Sequence, residues 1–252
     1  MKIESLPQDL QLRFNIAREL GHTIDNHTVM MDFGCGSGKK VQELRNQGFN
    51  AFGCGTRFNE EKNVETDLML KNEIIREIKI DQYRIPFEDS VFDFIFSESV
   101  FEHVGNYPET IAELSRVLKP GGLCIHTFVS RYKPIEAHVL VPFGSVFQSY
   151  WWLYTWILLG CKNEWPASNI NERVSKYQVY LKKETNYLKK KQLEAEFLKS
   201  FGDVRFCEDL LLKYSPGKRK HLYPLSKVLP FIPKLFSTFQ MRVIVTKKPI
   251  KH

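Results

Sequence analysis

Two groups of residues in this chain have the types and spacing to do chemistry. In the first, Gly34, Gly36 and Gly38 fall within five residues, directly after Asp32. Glycine at such a spacing lets the backbone turn tightly and lets a ligand lie against main-chain N–H groups, where a Cβ would intrude. The second group consists of imidazoles and a carboxylate. Glu136 and His138 stand at i and i+2, on one side of an extended segment. There the carboxylate can orient the ring, and the ring can take a proton from a hydroxyl. His103 is a further candidate base, because an imidazole titrates near neutral pH. Each has a plainer reading as well: His103 as a residue closing the turn before a helix, and Glu136 with His138 as anchors of a loop.

The surrounding pattern supplies elements to hold these groups. Val29-Met30-Met31 reads as a buried strand with Asp32 at its end, and an amphipathic helix begins at Lys39, carries Val41 and Leu44, and stops at Gly48. Asn50–Gly53 reads as a short second strand, and Glu65–Ile80 as a helix leading into a third strand at Glu77–Ile80. Phe92–Phe96 is apolar except for Asp93, which suits the middle of a parallel sheet. Ser97 stands at the carboxyl end of that strand, the side that faces ligand in open α/β sheets. A helix over Ile111–Leu118 is ended by Lys119-Pro120-Gly121-Gly122, and Leu123–Val129 forms the fifth strand. Helices are expected over Leu6–Leu20 and Lys189–Phe201, and strands over Val204–Phe206 and Met241–Thr246. Tyr214–Phe236, with four prolines and the basic run Lys218-Arg219-Lys220-His221, reads as a loop. By periodicity alone this is an alternating α/β chain.

Four stretches, VMMDFGCGSGKKVQEL (29–44), IDQYRIPF (80–87), VFDFIFSESVFEHV (91–104) and IAELSRVLKPGGLCIHT (111–127), together resemble class I S-adenosylmethionine-dependent methyltransferases, in order and at the usual distances. The resemblance covers roughly residues 25–129. It implies a Rossmann-like seven-stranded sheet with helices on both faces, an antiparallel ending, S-adenosylmethionine as cofactor and S-adenosylhomocysteine as product. It also implies cofactor contacts for Asp32, Gly34, Gly36, Gly38 and Ser97, with Asp81 and Gln82 at the adenine amino group. The family usually ends the second strand with an acid that holds the ribose hydroxyls. Cys54-Gly55-Thr56 stands there instead, leaving Thr56 as the substitute, with Glu60 or Glu61 within reach from the next turn. Phe101-Glu102-His103-Val104 resembles the Leu-Glu-His-Val of many small-molecule members. The divalent-ion pattern Glu-x-x-Glu-His is broken, because Ser99 occupies its first position and Glu98 is out of register, so no metal is expected. The Asn/Asp-Pro-Pro-aromatic run of base N-methylating members is absent after Ser97.

Past the fifth strand the resemblance thins, and an aromatic helical insertion is expected over residues 131–188. Its Glu136-x-His138, followed by Pro142-Phe143, resembles a subset found with cell-surface polysaccharide synthesis, which implies O-methylation of a saccharide or other small acceptor, anionic or carrier-linked. The organisation expected is an N-terminal helix over the cofactor site (1–24), a cofactor-binding core (25–130), a substrate lid (131–188) and a C-terminal completion of the sheet (189–252).

Val139–Cys161 carries no charge over 23 residues and includes three of the four tryptophans. Pro142, Gly144 and several polar residues interrupt it, which favours a lid, a homodimer face or a peripheral membrane patch over a membrane span. Charge is uneven: residues 1–128 hold 14 Lys and Arg against 20 Asp and Glu, and residues 129–252 hold 22 against 9. The basic second half motivates an RNA methyltransferase as the rival enzyme, although no RNA-binding module is recognisable and nucleic acid is not the favoured partner. The missing ribose acid motivates the other rival, a non-catalytic binding protein. Five cysteines without a Cys-x-x-Cys pair, and no charged-then-apolar leader, fit a reduced cytoplasmic protein.

Overall fold

Strands buried on both faces need apolar side chains at successive positions, and β1 (Val29–Phe33) and β4 (Phe92–Glu98) provide them. In the computed structural model, which describes residues 5–56, 58, 63–79 and 83–250, these two strands pair in parallel at the centre of a seven-stranded sheet. The remaining strands are β2 (Asn50–Gly55), β3 (Ile75–Glu77), β5 (Leu118–Val129), β6 (Asp203–Phe206) and β7 (Met241–Lys247), in the spatial order β3-β2-β1-β4-β5-β7-β6. β7 is antiparallel to both β5 and β6, as the class I resemblance implies. The order reverses between β1 and β4, and the carboxyl ends of those strands open onto a crevice, the usual ligand site of such sheets.

Alternation along the strands splits the core between the two faces. Met30, Phe94, Phe96, Ile125, Val243 and Val245 pack on one side with α1 (Gln8–Glu19) and α2 (Lys39–Asn46). Met31, Ile95, Cys124 and Ile244 pack on the other with α4 (Tyr107–Val117) and α7 (Lys190–Leu198). α3 (Val64–Lys71) precedes β3 and is capped by the Asn63 side chain, which accepts from the Thr66 N–H at 2.8 Å.

The insertion is helical, as expected, and has a small core of its own. α5 (Tyr150–Leu158) and α6 (Ile170–Lys183) enclose Val139, Val141, Leu153, Ile157, Val174, Tyr177 and Leu181. Among the described residues no helix is long and apolar enough to cross a membrane.

The third strand lies two residues earlier than its expected start, at Ile75, and its expected end at Ile80 falls outside the described residues. The segment expected to be a basic loop is instead largely helical: α8 (Glu208–Tyr214), a 3-10 turn at Gly217–His221, α9 (Leu222–Val228) and α10 (Phe231–Phe239). The prolines that suggested a loop sit at or near helix starts. Pro230 is the N-cap of α10, while Pro233 and Pro224 lie in the first turns of α10 and α9. A first-turn residue has no intrahelical partner for its N–H, so proline costs little there.

Candidate functional site

The crevice is a cleft of about 530 Å³ whose walls come from every segment that crosses the switch point. Phe33, Gly34 and Gly36 line it from the glycine turn, Gly55 and Thr56 from the end of β2, and Ser99 and Val100 from the end of β4. Phe58, Ile78 and Ile85 add apolar surface. The glycine turn is fitted closely: a Cβ built on Gly34, whose φ is +81°, would lie 2.3 Å from Val100 Cγ2. Only a bare backbone can approach the cleft there. Ser99 also has a left-handed backbone (φ +53°), held by its N–H donating to Thr127 O at 2.9 Å. A non-glycine residue in that region is strained by roughly 1–3 kcal/mol, and such positions concentrate at ligand sites.

Of the expected cofactor residues, Gly34, Gly36 and Thr56 line the cleft. Gly38 instead turns the chain into α2 with φ +81°, where a Cβ would meet Met69 Cε at 2.6 Å. Asp32 is buried at 4% exposure beneath the turn. Burial raises its pKa to about 6, against the opposing pull of Lys40 and Arg13. Ser97 does not face ligand. It is fully buried within the strand and hydrogen-bonds His126 Nδ1 at 2.8 Å, whereas Ser99, just past the end of β4 and with a left-handed backbone, lines the opening. Asp81 and Gln82, and with them Glu60 and Glu61, lie outside the described residues. The turn and the cleft suit an adenosyl ligand laid along the strand ends, with Thr56 on the wall at the end of β2.

Beside the turn lies a charge cluster that sequence reading did not single out. Arg13 of α1, 1% exposed, reaches Thr127 Oγ1 at 2.7 Å and Glu98 at 3.4 Å. Lys40 of α2 pairs with Asp9 at 2.9 Å and with Glu98. Glu98 is therefore held by two cations across the strand end.

The three expected catalytic residues come together at the cleft wall, with His103 on it and His138 and Glu136 behind. The His103 and His138 rings meet edge to face with centroids 4.8 Å apart. His103 Nδ1 lies 2.7 Å from Glu184 O, and a carbonyl only accepts, so Nδ1 carries the proton and Nε2 is the basic nitrogen of the neutral ring. Glu136 is 1% exposed. It accepts from His138 Nδ1 at 2.9 Å, from the His138 and Val139 N–H groups at 2.7 Å each, and from Tyr187 Oη at 2.7 Å. Burial would raise its pKa, but these donors outweigh burial and hold it at about 2. The carboxylate is thus ionised at any working pH and fixes His138 as the Nδ1–H tautomer.

The insertion reaches the cleft through α6, with Tyr180, Lys183 and the following Glu184 on its wall. The tryptophan helix α5 does not reach it: Trp151 is 73% exposed, and Trp152 donates from its indole to Pro142 O at 2.8 Å. The aromatic stretch is therefore no wall of the cleft. α6 is placed by the segment that follows it. Asn186 N–H donates to Glu102 O at 2.6 Å, Asn186 Nδ2 to Val104 O at 3.0 Å, and Tyr107 Oη to Asn186 O at 3.1 Å.

Glu102, next to His103, is 1% exposed, and neither carboxyl oxygen has a hydrogen-bond partner. Burial raises its pKa to about 7 from 4.5, so folding costs more as pH rises through that window, when the folded state must bury the charge or hold the proton. Glu102→Gln removes that dependence. Between pH 5 and 8 the parent should lose about 3 kcal/mol more stability than the variant, read as the difference in denaturant midpoints. Parallel pH profiles for the two proteins would contradict it.

Comparison with known proteins agrees with this geometry. A family model described as a methyltransferase domain matches residues 31–126. The ubiquinone biosynthesis O-methyltransferase of Rickettsia akari is 31% identical over 112 residues, 43% of this chain and 43% of that protein. The demethylmenaquinone methyltransferase of Staphylococcus saprophyticus is 35% identical over 86 residues, 31% of this chain and 37% of that protein. The chain spans about half or less of the length of these relatives. Among solved structures, phosphoethanolamine N-methyltransferase 2 of Haemonchus contortus with S-adenosyl-L-methionine superposes with a TM-score of 0.52 at 16% identity, over 94% of this chain and 52% of that one. At that identity the likeness is one of fold.

Proposed function

We propose that this chain, whose core is a class I S-adenosylmethionine-dependent methyltransferase domain, methylates a hydroxyl of a small acceptor, with His103 as the base. The observation that carries the reading is His103 on the cleft wall, backed by His138 and an ionised Glu136. The bound cofactor supplies an electrophilic methyl group. The chain's own residues hold the acceptor in line and remove its proton as the new bond forms. His103 Nε2 takes that proton, and the negative charge of Glu136 behind His138 steadies the imidazolium that results. Glu136 and His138 are absent from the residues lining the cleft, so in this reading they act through His103.

Lys183 on the cleft wall suits an acceptor that carries an anionic group, and the saccharide reading of Glu136-x-His138 fits a sugar on a phosphate carrier. A second reading takes the acceptor as a ring hydroxyl. It is favoured by the match to an enzyme named for ubiquinone biosynthesis and by the ring of Tyr180 on the same wall. The test is label transfer from methyl-labelled S-adenosylmethionine to a panel of nucleoside-diphosphate sugars and catechols, with the product's methyl position read by NMR. An O-methyl product is expected. S-adenosylhomocysteine binding without transfer to any hydroxyl would overturn the reading in favour of a non-catalytic binder, and an N-methyl product would overturn the choice of atom.

A further inference from the structure

The C-terminal helices present a surface that the methyl-transfer reading does not use. α10 buries Phe236 and Ser237 and turns Phe231, Leu235 and Phe239, spaced four apart, to the outside at 52, 49 and 40% exposure. α9 adds Leu225 at 45% and Val228 at 76%. These are large apolar side chains on two consecutive helices, not scattered surface residues, and an unpartnered stripe of that kind marks an interaction site. The charge beside it is mostly positive, with Glu19 of α1 paired to Lys213. From Leu210 to the end of the chain there is no Asp or Glu, and the 3-10 turn entering α9 is Gly217-Lys218-Arg219-Lys220-His221, every residue of it exposed. Among the described residues, no ion pair is found for Lys218, Arg219, Lys220 or Lys234.

We propose that α9, α10 and the basic turn before them dock this protein onto an anionic phospholipid surface. The apolar stripe enters the acyl boundary, and the lysines and arginine meet the headgroup phosphates. Charge complementarity selects this occupant. A nucleic acid would satisfy the cations but leave five exposed aliphatic and aromatic side chains against a polar backbone. An apolar protein groove would take the stripe but give no reason for a flank so rich in lysine and arginine, where the neighbouring acid Glu19 is paired with Lys213. An interfacial helix pair uses both features, and such binding scales with buried apolar area plus attraction to anionic lipid. The surface is separate from the cleft, so it adds a location for the reaction without bearing on its chemistry.

The test is co-sedimentation of the full chain with vesicles of phosphatidylcholine alone and of phosphatidylcholine mixed with phosphatidylglycerol. Binding to the anionic vesicles is expected, weakening as salt is raised. Val228→Ser with Phe231→Ser, both exposed positions, should weaken it at least roughly tenfold, and Lys218→Glu with Lys220→Glu should do the same through the electrostatic part. S-adenosylhomocysteine affinity should be unchanged in both variants, which shows that they are folded. No binding to anionic vesicles, or binding that both variants retain, would overturn the proposal. Loss with the charge reversals alone, together with displacement by duplex RNA, would overturn it in favour of a nucleic-acid surface.

Discussion

His103→Asn lowers methyl transfer by about 10²–10⁴-fold while leaving S-adenosylhomocysteine affinity within a few-fold of the parent, the range expected when a general base is removed. Asparagine is the informative replacement because its amide N–H stands where Nδ1 stood and can still donate to Glu184 O. The contact with Glu184 O is thereby kept, while the basic nitrogen and the ring contact with His138 are lost. His103→Ala should be equally inactive and somewhat less stable, since it also removes that hydrogen bond. Steady-state label transfer gives the rate, and calorimetry with S-adenosylhomocysteine gives the affinity. Near-parental turnover in His103→Asn would show that His103 only closes its turn and would overturn its role as the base.

Glu136→Ala is the most damaging single change expected for the fold. It removes one acceptor from four donors at once: His138 Nδ1, the His138 and Val139 N–H groups, and Tyr187 Oη. Breaking a buried, paired charge costs about 3–5 kcal/mol, and the orphaned N–H groups lie at the base of the insertion. Unfolding should begin in residues 131–188, and amide exchange of that segment should rise before exchange of the central strands. The pH dependence carries a sign. Glu136 has a depressed pKa of about 2, so its stabilisation is present above the ordinary carboxylate value and is lost as pH falls from about 4.5 through 2. A variant that matches the parent in denaturant midpoint at neutral pH would contradict the assignment.

The sequence is most legible where function limits the choice of residue. The glycine turn, the central strands and the strand that closes the sheet could be read because buried parallel strands and a tight turn leave few alternatives. The convergence of His103 with Glu136 and His138 was readable as chemistry but not as geometry. His103 and Glu184 are 81 residues apart in sequence, and Tyr187 and Glu136 are 51 apart, so no local spacing predicts either contact. Ser97 was misplaced for a simple reason. The carboxyl end of a strand identifies the right edge of the sheet, but Ser97 is still inside β4 and enclosed, while Ser99, just past its end, lines the cleft. Composition left the aromatic run open as a lid, a dimer face or a membrane patch, and α6, with its mixture of Tyr, Lys and Glu, is what arrives at the cleft. Arg13, Lys40 and Glu98 escaped notice because surface-type residues spread over three elements carry no pattern until the fold gathers them.

The carbonyl that sets the His103 tautomer belongs to the far end of the insertion, whose apolar side chains pack on one another. Under the proposed function, donor and acceptor roles are therefore modular. Transplanting residues 131–188 from a relative would carry its own acceptor wall and, with it, the peg that orients the base, while the glycine turn beneath stayed in register. On that reading, a chain stripped of the segment would keep the glycine turn and lose the wall that Tyr180, Lys183 and Glu184 supply. Diversification within such a scaffold can then proceed by exchanging one cassette, and each new acceptor arrives with the base already aimed.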